Sequence, residues 1–281
     1  MIKTTILLAL TLIFFASNSI LCRLALLNNS IDAYSFTMTR IISGALVLNI
    51  IVIVSNNWKY EFTGKISSAI SLLVYALLFS LAYIKLTAAT GALILFGFVQ
   101  TTMIGWSISR GLGPTKNEWI GLTLAVAGLV YFLIPGIKAP DPIGALYMAI
   151  AGMGWGAYSI IGKGSKNPVS NTAGNFSLSC LISVPILIII FFKNHITLNG
   201  IELAVASGAI SSGLGYSIWY TVLPSIKSTQ AAIVQLLVPA IAAFLAAIML
   251  NERISTRLIV AGVVISSGVI ITIIKPIKNA T

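Results

Sequence analysis

The chain has 281 residues, of which 58% are hydrophobic and only 8% are charged, and its mean hydropathy is +1.01. Soluble domains carry about 25% charged residues, so this composition excludes an ordinary water-soluble globular protein. The formal net charge is +11, but the basic residues stand at the ends of apolar runs and are not interleaved with exposed aromatics. This placement argues against nucleic acid as a partner and favours contact with lipid headgroups.

Ten apolar segments follow one another along the chain, and each is long enough to cross a lipid bilayer as a helix. They run roughly over 4–24, 34–54, 66–86, 89–109, 118–135, 143–163, 172–192, 201–223, 228–250 and 256–275. The short breaks between them carry Lys, Asn, Gly, Pro or Asp, the residues that favour turns where the backbone can reach water. The sequence therefore predicts an all-α integral membrane protein with ten transmembrane helices.

The second half of the chain repeats the first at a shift of 140 residues. Under this shift Trp155 falls on Phe15, and all ten apolar segments pair without a gap. Five helices are an odd number, so the second unit would enter the membrane from the opposite face. We therefore predict two inverted five-helix repeats, one over residues 1–138 and the other over residues 141–281.

The basic residues predict the orientation of the chain, because Lys and Arg accumulate on the cytoplasmic side of membrane proteins. With a cytoplasmic N-terminus, the inner positions hold Lys3, Lys59, Lys65, Arg110, Lys116, Lys163, Lys166, Lys227, Lys275 and Lys278. The outer positions hold fewer, namely Arg23, Lys85, Lys138, Lys193, Arg253 and Arg257. The sequence thus predicts a multi-pass protein of the inner cell membrane with both termini in the cytoplasm.

The residues that would support catalysis or metal binding are sparse and scattered. Cys22 and Cys180 have no CxxC spacing, and the single histidine, His195, falls in a predicted turn. An intramembrane enzyme would need a Ser–His pair, an Asp pair or a metal cluster within the spans. All acidic residues instead stand in loops or at span ends, namely Asp32, Glu61, Glu118, Asp141, Glu202 and Glu252. We predict that the protein is not an enzyme and uses no cofactor or metal.

A stretch near the C-terminus resembles a known family. Residues 239–252 read Pro-Ala-Ile-Ala-Ala-Phe-Leu-Ala-Ala-Ile-Met-Leu-Asn-Glu. They resemble the ninth-helix signature of the drug/metabolite transporter superfamily, in which a proline precedes small and aliphatic residues and a closing Leu-Gly-Glu; here Asn251 replaces the glycine. Gly262 and Gly268 resemble the glycine spacing of its tenth helix. The whole chain is similar to the ten-helix EamA-type permeases of that superfamily.

This resemblance implies a fold and a mechanism. An EamA-type permease would alternate between inward-open and outward-open states as its two five-helix units rock around a central cavity. The cavity would be lined by helices one, three, four, six, eight and nine. The resemblance also implies transport out of the cytoplasm by facilitated diffusion.

A transporter needs polar or aromatic side chains near the bilayer midplane, where nothing else favours them. Tyr75, Phe79 and Tyr83 are spaced i, i+4, i+8 and so share one face of the third helix. The full set of substrate-binding candidates is Asn18, Tyr75, Phe79, Tyr83, Gln100, Trp155, Tyr158, Ser159, Tyr216, Trp219 and Gln235, with Pro239 as a candidate gate or hinge. Aromatic walls with a few amide and hydroxyl groups favour an amphipathic solute such as an amino acid.

Each candidate also has a structural interpretation. Tyr83 lies close to Lys85 and is equally suited to anchor the helix at the membrane interface. Serines in membrane helices more often permit close packing, and buried amides can bond helix to helix. Arg40 is the one charge inside a predicted span. It could attract a substrate carboxylate, but its place near the outer end and the family resemblance favour a structural or snorkelling role.

We therefore expect a membrane transporter that moves small metabolites, amino acids first among them, out of the cytoplasm. Its partners would be the small-molecule substrate and the lipid bilayer, and it would act as a monomer or a weak homodimer. A proton-coupled multidrug or metabolite exporter is the alternative, although the lack of a mid-span carboxylate argues against it. The alternative from another class is a membrane scaffold that transports nothing.

Overall fold

The structure is a computed structural model that describes residues 2–55, 63–111, 116–134, 139–162, 165–185, 195–222, 235 and 237–273. Within these residues every regular element is a helix, and β pairing is limited to one isolated bridge between Ile31 and Ile196. The prediction of an all-α protein is therefore confirmed. Parts of six predicted segments lie outside the described residues, at 135, 163, 186–192, 223, 228–234 with 236, and 274–275.

Ten helices occur in the described part of the chain, in the order that the apolar segments predict. They are α1 (Ile2–Leu27), α2 (Ala33–Ser55), α3 (Ile66–Tyr83), α4 (Ala88–Ser109), α5 (Lys116–Leu133), α6 (Pro142–Gly162), α7 (Pro168–Ile182), α8, α9 (Leu237–Met249) and α10 (Thr256–Ile273). Helix α8 has three consecutive parts, of which Leu198–Ala206 and Gly215–Val222 are α-helical and Ser207–Leu214 is a π-helix. The π-helix is the one irregularity that the sequence did not predict.

The outer surface of the helices is apolar, as a lipid environment requires. Five helices, α1, α2, α3, α4 and α6, contain spans of 18 to 23 residues that are long and apolar enough to cross a membrane. On α2, the side chains of Leu46, Ile50 and Val54 are between 56% and 61% exposed, whereas Arg40 and Leu48 are buried. Exposed apolar rows of this kind are unfavourable in water and favourable in lipid. The protein is therefore a multi-pass membrane protein.

The major pairs of helices that pack together correspond, at the 140-residue shift, to pairs that also pack together. Helix α3 packs on α6 and α1 packs on α8; in the same way, α4 packs on α6 and α1 on α9. Helix α2 also packs on α8 and α3 packs on α7, while the pairs α2 with α7 and α5 with α10 join helices that correspond at the 140-residue shift. This pattern agrees with the predicted repeat. The inverted orientation of the repeats and the boundaries 1–138 and 141–281 stay predictions, and residues 135–138 lie outside the described part.

Glycines let α6 pack closely between α3 and α4. A Cβ atom on Gly152 would lie 2.6 Å from the carbonyl oxygen of Leu95 on α4. One on Gly154 would lie 3.2 Å from the backbone nitrogen of Tyr75 on α3. Small residues at such positions allow backbones to approach closely in membrane bundles. This approach brings Trp155, the next residue of α6, into contact with α3.

Candidate functional site

A small cavity lies between five helices of the bundle. Its volume is about 20 Å³, which is room for about one water molecule. It is lined by Phe15, Asn18 and Ser19 of α1, Tyr75 and Phe79 of α3, Leu95 and Phe96 of α4, Trp155 of α6, and Ser211 and Tyr216 of α8. These are five of the six helices that the family resemblance assigns to the cavity. No described residue of α9 lines it.

Aromatic rings form a continuous wall along this cavity. The ring of Trp155 lies 5.0 Å from that of Tyr75 and 5.1 Å from that of Tyr216, measured between centroids. Phe15 meets the Tyr216 ring edge-on at 5.6 Å, and Phe79 lies 5.4 Å from Tyr75. Tilted and edge-on contacts at these distances are the favourable arrangements of aromatic pairs. The wall therefore joins side chains from α1, α3, α6 and α8 into one surface.

A hydrogen-bond network supports the polar side of the cavity. The Asn18 amide nitrogen donates to the Tyr75 hydroxyl at 3.3 Å, and the Asn18 amide oxygen accepts from the Ser207 hydroxyl at 2.5 Å. All three side chains are at least 95% buried. An amide in an apolar interior needs such partners, because leaving it unpaired costs several kcal/mol, on the order of 2–7. The network therefore holds α1, α3 and α8 in register.

The π-helix in α8 delivers its serines to this region. Residues five apart stack above one another in a π-helix, because its hydrogen bonds run from i to i+5. Ser207 and Ser212 therefore share one face, and Ser207 binds Asn18 while Ser212 binds Arg40. Ser211 lines the cavity between them. In a regular α-helix, Ser212 would be rotated away from Ser207, so the π-helix is what allows both contacts.

Arg40 of α2 is buried beside the cavity wall, with only 1% of its surface exposed. Its Nε donates to the Ser212 hydroxyl at 3.2 Å and its Nη2 donates to the Tyr75 hydroxyl at 3.1 Å. The guanidinium carbon also lies 5.1 Å from the centre of the Phe79 ring, within the range of a cation–π contact. The snorkelling interpretation of Arg40 is therefore wrong, because the charged group is bound to α3 and α8 inside the bundle.

Five of the eleven predicted binding residues line the cavity. They are Asn18, Tyr75, Phe79, Trp155 and Tyr216. Helical spacing predicted the shared face of Tyr75 and Phe79, whereas Asn18 and Trp155 were predicted as polar or aromatic side chains inside the spans. Their role in substrate binding stays a prediction.

Two further predicted residues adjoin the cavity without lining it. Tyr83 is fully buried against the Phe79 ring at 4.7 Å, and its hydroxyl donates to the carbonyl oxygen of Ala88 at 3.3 Å. Trp219 is 6% exposed, and its ring lies 5.9 Å from that of Phe15. Tyr83 therefore continues the buried aromatic stripe of α3 as far as the end of the helix.

The other predicted residues do not line the cavity either. Tyr158 stacks on Trp155 at 5.4 Å and shares hydrogen bonds with α7, and the Ser159 hydroxyl donates to the carbonyl oxygen of Trp155 at 2.8 Å. Gln100 is buried on α4, whereas Gln235 is half-buried. Pro239 is half-buried in α9, and its role as a gate or hinge stays a prediction.

The cavity also contains residues that were not predicted, namely Phe15, Ser19, Leu95, Phe96 and Ser211. The 140-residue shift held a signal for three of them, because Phe15 corresponds to Trp155, Ser19 to Ser159 and Leu95 to Gln235. Leu95 and Phe96 have no polar group that would distinguish them from lipid-facing residues. Only packing shows that they face inward.

The loops at the predicted outer end are joined to one another. Arg23 of α1 pairs with Glu252 of the α9–α10 loop at 3.3 Å, and their side chains are 14% and 9% exposed. Glu252 also accepts from the backbone nitrogen of Ala88 at 2.8 Å, and Arg23 donates to the carbonyl oxygen of Tyr83 at 2.8 Å. Burial raises the pKa of Glu252, outweighing the lowering effects of the Ala88 amide and of Arg23. These contacts connect α1, the α3–α4 turn and the α9–α10 loop.

Two more contacts lie at the same end. Lys85 pairs with Asp141 at 3.5 Å, and the Asp141 carboxylate accepts from the backbone nitrogen of Gly144 at 2.7 Å, which caps α6. The hydrogen bond from the Gly144 amide and, to a smaller extent, the positive charge of Lys85 hold the pKa of Asp141 below its usual value. The backbone nitrogen of Asp32 donates to the carbonyl oxygen of His195 at 3.1 Å and joins the α1–α2 and α7–α8 loops. The loops that we assign to the outside therefore form two connected groups: the α3–α4 turn with the α5–α6 and α9–α10 loops, and the α1–α2 loop with the α7–α8 loop.

Metal ligands are not grouped in the described residues, where no cluster of three or more His, Cys, Asp or Glu side chains could hold an ion. Cys22 is buried and Cys180 is half-buried, and neither forms a disulfide. The cavity lining consists of hydrogen-bonding side chains and aromatic faces. Such a lining is suited to binding a ligand.

Comparisons with known proteins identify a family model, related sequences and a solved structure that are similar to this chain. A model of the EamA-like transporter family matches residues 142–274. An uncharacterized protein of Pseudomonas aeruginosa is 40% identical over 269 residues, which span 95% of this chain and 93% of that protein. An uncharacterized transporter of Archaeoglobus fulgidus is 25% identical over 290 residues, which span 97% and 98% of the two chains. One crystal structure shares the fold with a TM-score of 0.64 at 17% identity, covering 94% of this chain and 95% of its own.

Proposed function

Because this chain belongs to the EamA-like transporter family of drug/metabolite transporters, it is a membrane transporter, and we propose that it moves amino acids out of the cytoplasm by facilitated diffusion. In this proposal the protein works in the inner cell membrane, with both termini in the cytoplasm, as a monomer or a weak homodimer. The substrate crosses the membrane at the cavity between the two halves of the chain. No catalytic step is involved.

One observation carries the proposal: the cavity combines an aromatic wall with a buried set of hydrogen-bonding groups. Trp155, Tyr216 and Phe79 offer flat apolar faces, while Asn18 and Tyr75 offer an amide and a hydroxyl. An amino acid has the matching division into an apolar side chain and a polar head. Ligand sites commonly have this composition, in which apolar walls give affinity and a few polar groups fix orientation.

The size of the cavity bears on the mechanism. Ligand pockets usually have volumes of about 300–1,000 Å³, whereas this cavity has only about 20 Å³. An amino acid therefore needs the surrounding helices to move apart before it can enter. Alternating access supplies such a movement, since the helices that line the cavity come from both halves of the chain. The connected loops at the predicted outer end fit a state that is closed on that side.

Counterflow in proteoliposomes tests the proposal directly. Purified protein is reconstituted into vesicles preloaded with unlabelled amino acids or other small metabolites, and uptake of the labelled solute is followed with and without a proton gradient. We expect saturable uptake of one or more amino acids that does not depend on the gradient. Uptake that requires the gradient would favour the proton-coupled exporter instead. No uptake of any solute above that of empty vesicles would favour a scaffold and refute the proposal.

A further inference from the structure

Arg40 carries a buried positive charge that has no anionic partner in the described part of the chain. The ion pairs found there are Arg23 with Glu252 and Lys85 with Asp141. Asp32 is the nearest acidic residue along the sequence, but it precedes Arg40 by eight positions, or about 12 Å along a helix axis. This distance is too long for an ion pair. A buried charge without a counter-ion is unfavourable, and a ligand that supplies one is bound strongly.

Hydrogen-bond donors next to this charge also lack acceptors. Among the described residues, the buried Arg40 Nη1 atom has no hydrogen-bond partner, and the same is true of the Ser211 hydroxyl. The Tyr75 hydroxyl accepts from Arg40 Nη2 and Asn18 Nδ2, two nitrogens that can only donate, so its own proton is left for a further acceptor. We refer to Arg40, Tyr75 and Ser211 as the donor cluster.

The donor cluster adjoins the cavity on one side. Tyr75 and Ser211 line the cavity, and Arg40 contacts Tyr75, the Phe79 ring and Ser212, the residue after Ser211. A ligand in the cavity therefore meets aromatic faces in one direction and unused donors in the other. A group that accepts several hydrogen bonds and carries a negative charge fits this side.

We propose that the donor cluster binds the carboxylate of the transported solute, and that Arg40 supplies its counter-charge. A carboxylate has two oxygens and only accepts hydrogen bonds, which matches a guanidinium nitrogen and two hydroxyl protons. The proposal rests on the proposed function, since it assumes that the cavity is the solute site. It deepens that function by requiring a solute with a free carboxylate. Under the competing explanation, Arg40 only braces α2 against α3 and α8.

Pairs of solutes that differ only in the carboxylate separate the two explanations. Leucine and leucinamide, or phenylalanine and phenylalaninamide, are compared in the counterflow assay with the wild type and with Arg40→Gln and Arg40→Lys. Arg110→Gln is the matched control, because Arg110 is an exposed arginine whose guanidinium lies over the Trp106 ring. We expect the acids to outcompete the amides in the wild type and in the control.

The expected effect of Arg40→Gln is a selective loss for the acids. A hydrogen bond to a charged group is worth enough that apparent affinity for the acid should fall by about 10- to 100-fold, toward that for the amide. Arg40→Lys keeps the charge and should retain part of the preference. If the wild type and Arg40→Gln both move acids and amides at the same rates, the proposal is wrong while the transport function stands.

A binding measurement tests the carboxylate site even if no solute is transported or if Arg40→Gln does not fold. The thermal stability of purified protein is measured with each acid and amide, and we expect only the acids to stabilise the wild type. If no solute is transported but acids still stabilise the wild type and not Arg40→Gln, the transport proposal fails and the carboxylate site stands. If Arg40→Gln does not fold, Ser211→Ala takes its place and should weaken acid binding severalfold while leaving the amides unchanged. Equal effects of Ser211→Ala on acids and amides would overturn the proposal.

Discussion

The sharpest structural prediction concerns Gly208, in the π-helix of α8. A Cβ atom added to Gly208 would overlap the Ser43 hydroxyl and the carbonyl oxygen of Arg40, and the latter belongs to the backbone of α2 and cannot rotate away. Gly208→Ala therefore has to push α8 off α2. The movement also lengthens the 3.2 Å hydrogen bond between Arg40 and Ser212.

The expected loss in the free energy of unfolding follows from a comparison with a second glycine. Gly262 of α10 has room for a Cβ atom, whose nearest neighbour would be a Leu93 methyl carbon at 3.9 Å. Replacing a helical glycine by alanine stabilises by about 0.5–1 kcal/mol, and this gain applies at both sites. Overpacking costs a further 1–3 kcal/mol or so, at Gly208 alone. The two variants should therefore differ by this overpacking cost, or by about 5- to 140-fold in the unfolding equilibrium constant.

Unfolding of the purified protein by SDS in mixed micelles, followed by tryptophan fluorescence and far-UV circular dichroism, measures this difference. We expect Gly262→Ala to be at least as stable as the wild type and Gly208→Ala to be clearly less stable than Gly262→Ala. Gly208→Ala should also lower the counterflow rate, whereas Gly262→Ala should not. Equal stability of the two variants would refute the close contact between α2 and the π-helix.

Two further predictions concern the cavity and the predicted outer end. Trp155→Ala removes one aromatic face of the cavity, and because an aromatic contact is worth about 0.5–1.5 kcal/mol, apparent affinity for the solute should fall by up to about tenfold. Trp219→Ala, outside the lining, should have a smaller effect. A larger effect of Trp219→Ala than of Trp155→Ala in the counterflow assay would contradict the cavity. Burial raises the pKa of Glu252 above the usual 4.5 while its carboxyl is covered by the contacts with Arg23 and Ala88. The covered carboxyl therefore binds its proton more tightly than an exposed one. Acidification toward that pKa thus favours the state in which these contacts are closed. Maleimide labelling of Ser19→Cys from the Glu252 side should then slow at acid pH relative to Ile84→Cys on the exposed α3–α4 turn, and a constant ratio would contradict this coupling.

The predicted helices agree closely with the structure, because their causes are local. The predicted segment 89–109 corresponds to α4 at Ala88–Ser109, and 143–163 corresponds to α6 at Pro142–Gly162. In lipid every backbone group must be hydrogen-bonded within its own helix, so an apolar run of sufficient length has one favourable conformation. The π-helix in α8 was not predicted, because it depends on contacts of Ser207 and Ser212 with other helices.

The candidate site was predicted in part, and the aromatic stripe of α3 shows why. Helical spacing put Tyr75, Phe79 and Tyr83 on one face, and all three are buried. Only Tyr75 and Phe79 line the cavity, because Tyr83 lies one turn farther along and its hydroxyl binds Ala88. Spacing along a helix defines the direction of a side chain, but the depth of the cavity depends on how neighbouring helices cross.

The sequence by itself determined that this protein spans a membrane as a series of helices, since transfer into lipid and backbone hydrogen bonding depend on residues that are close along the chain. It did not determine the surroundings of Arg40. The hydroxyl groups that bind its guanidinium belong to Tyr75 and Ser212, which lie 35 and 172 positions away. Only the packing of α2 against α3 and α8 decides that these groups meet, because the energy of a buried charge depends on every helix around it.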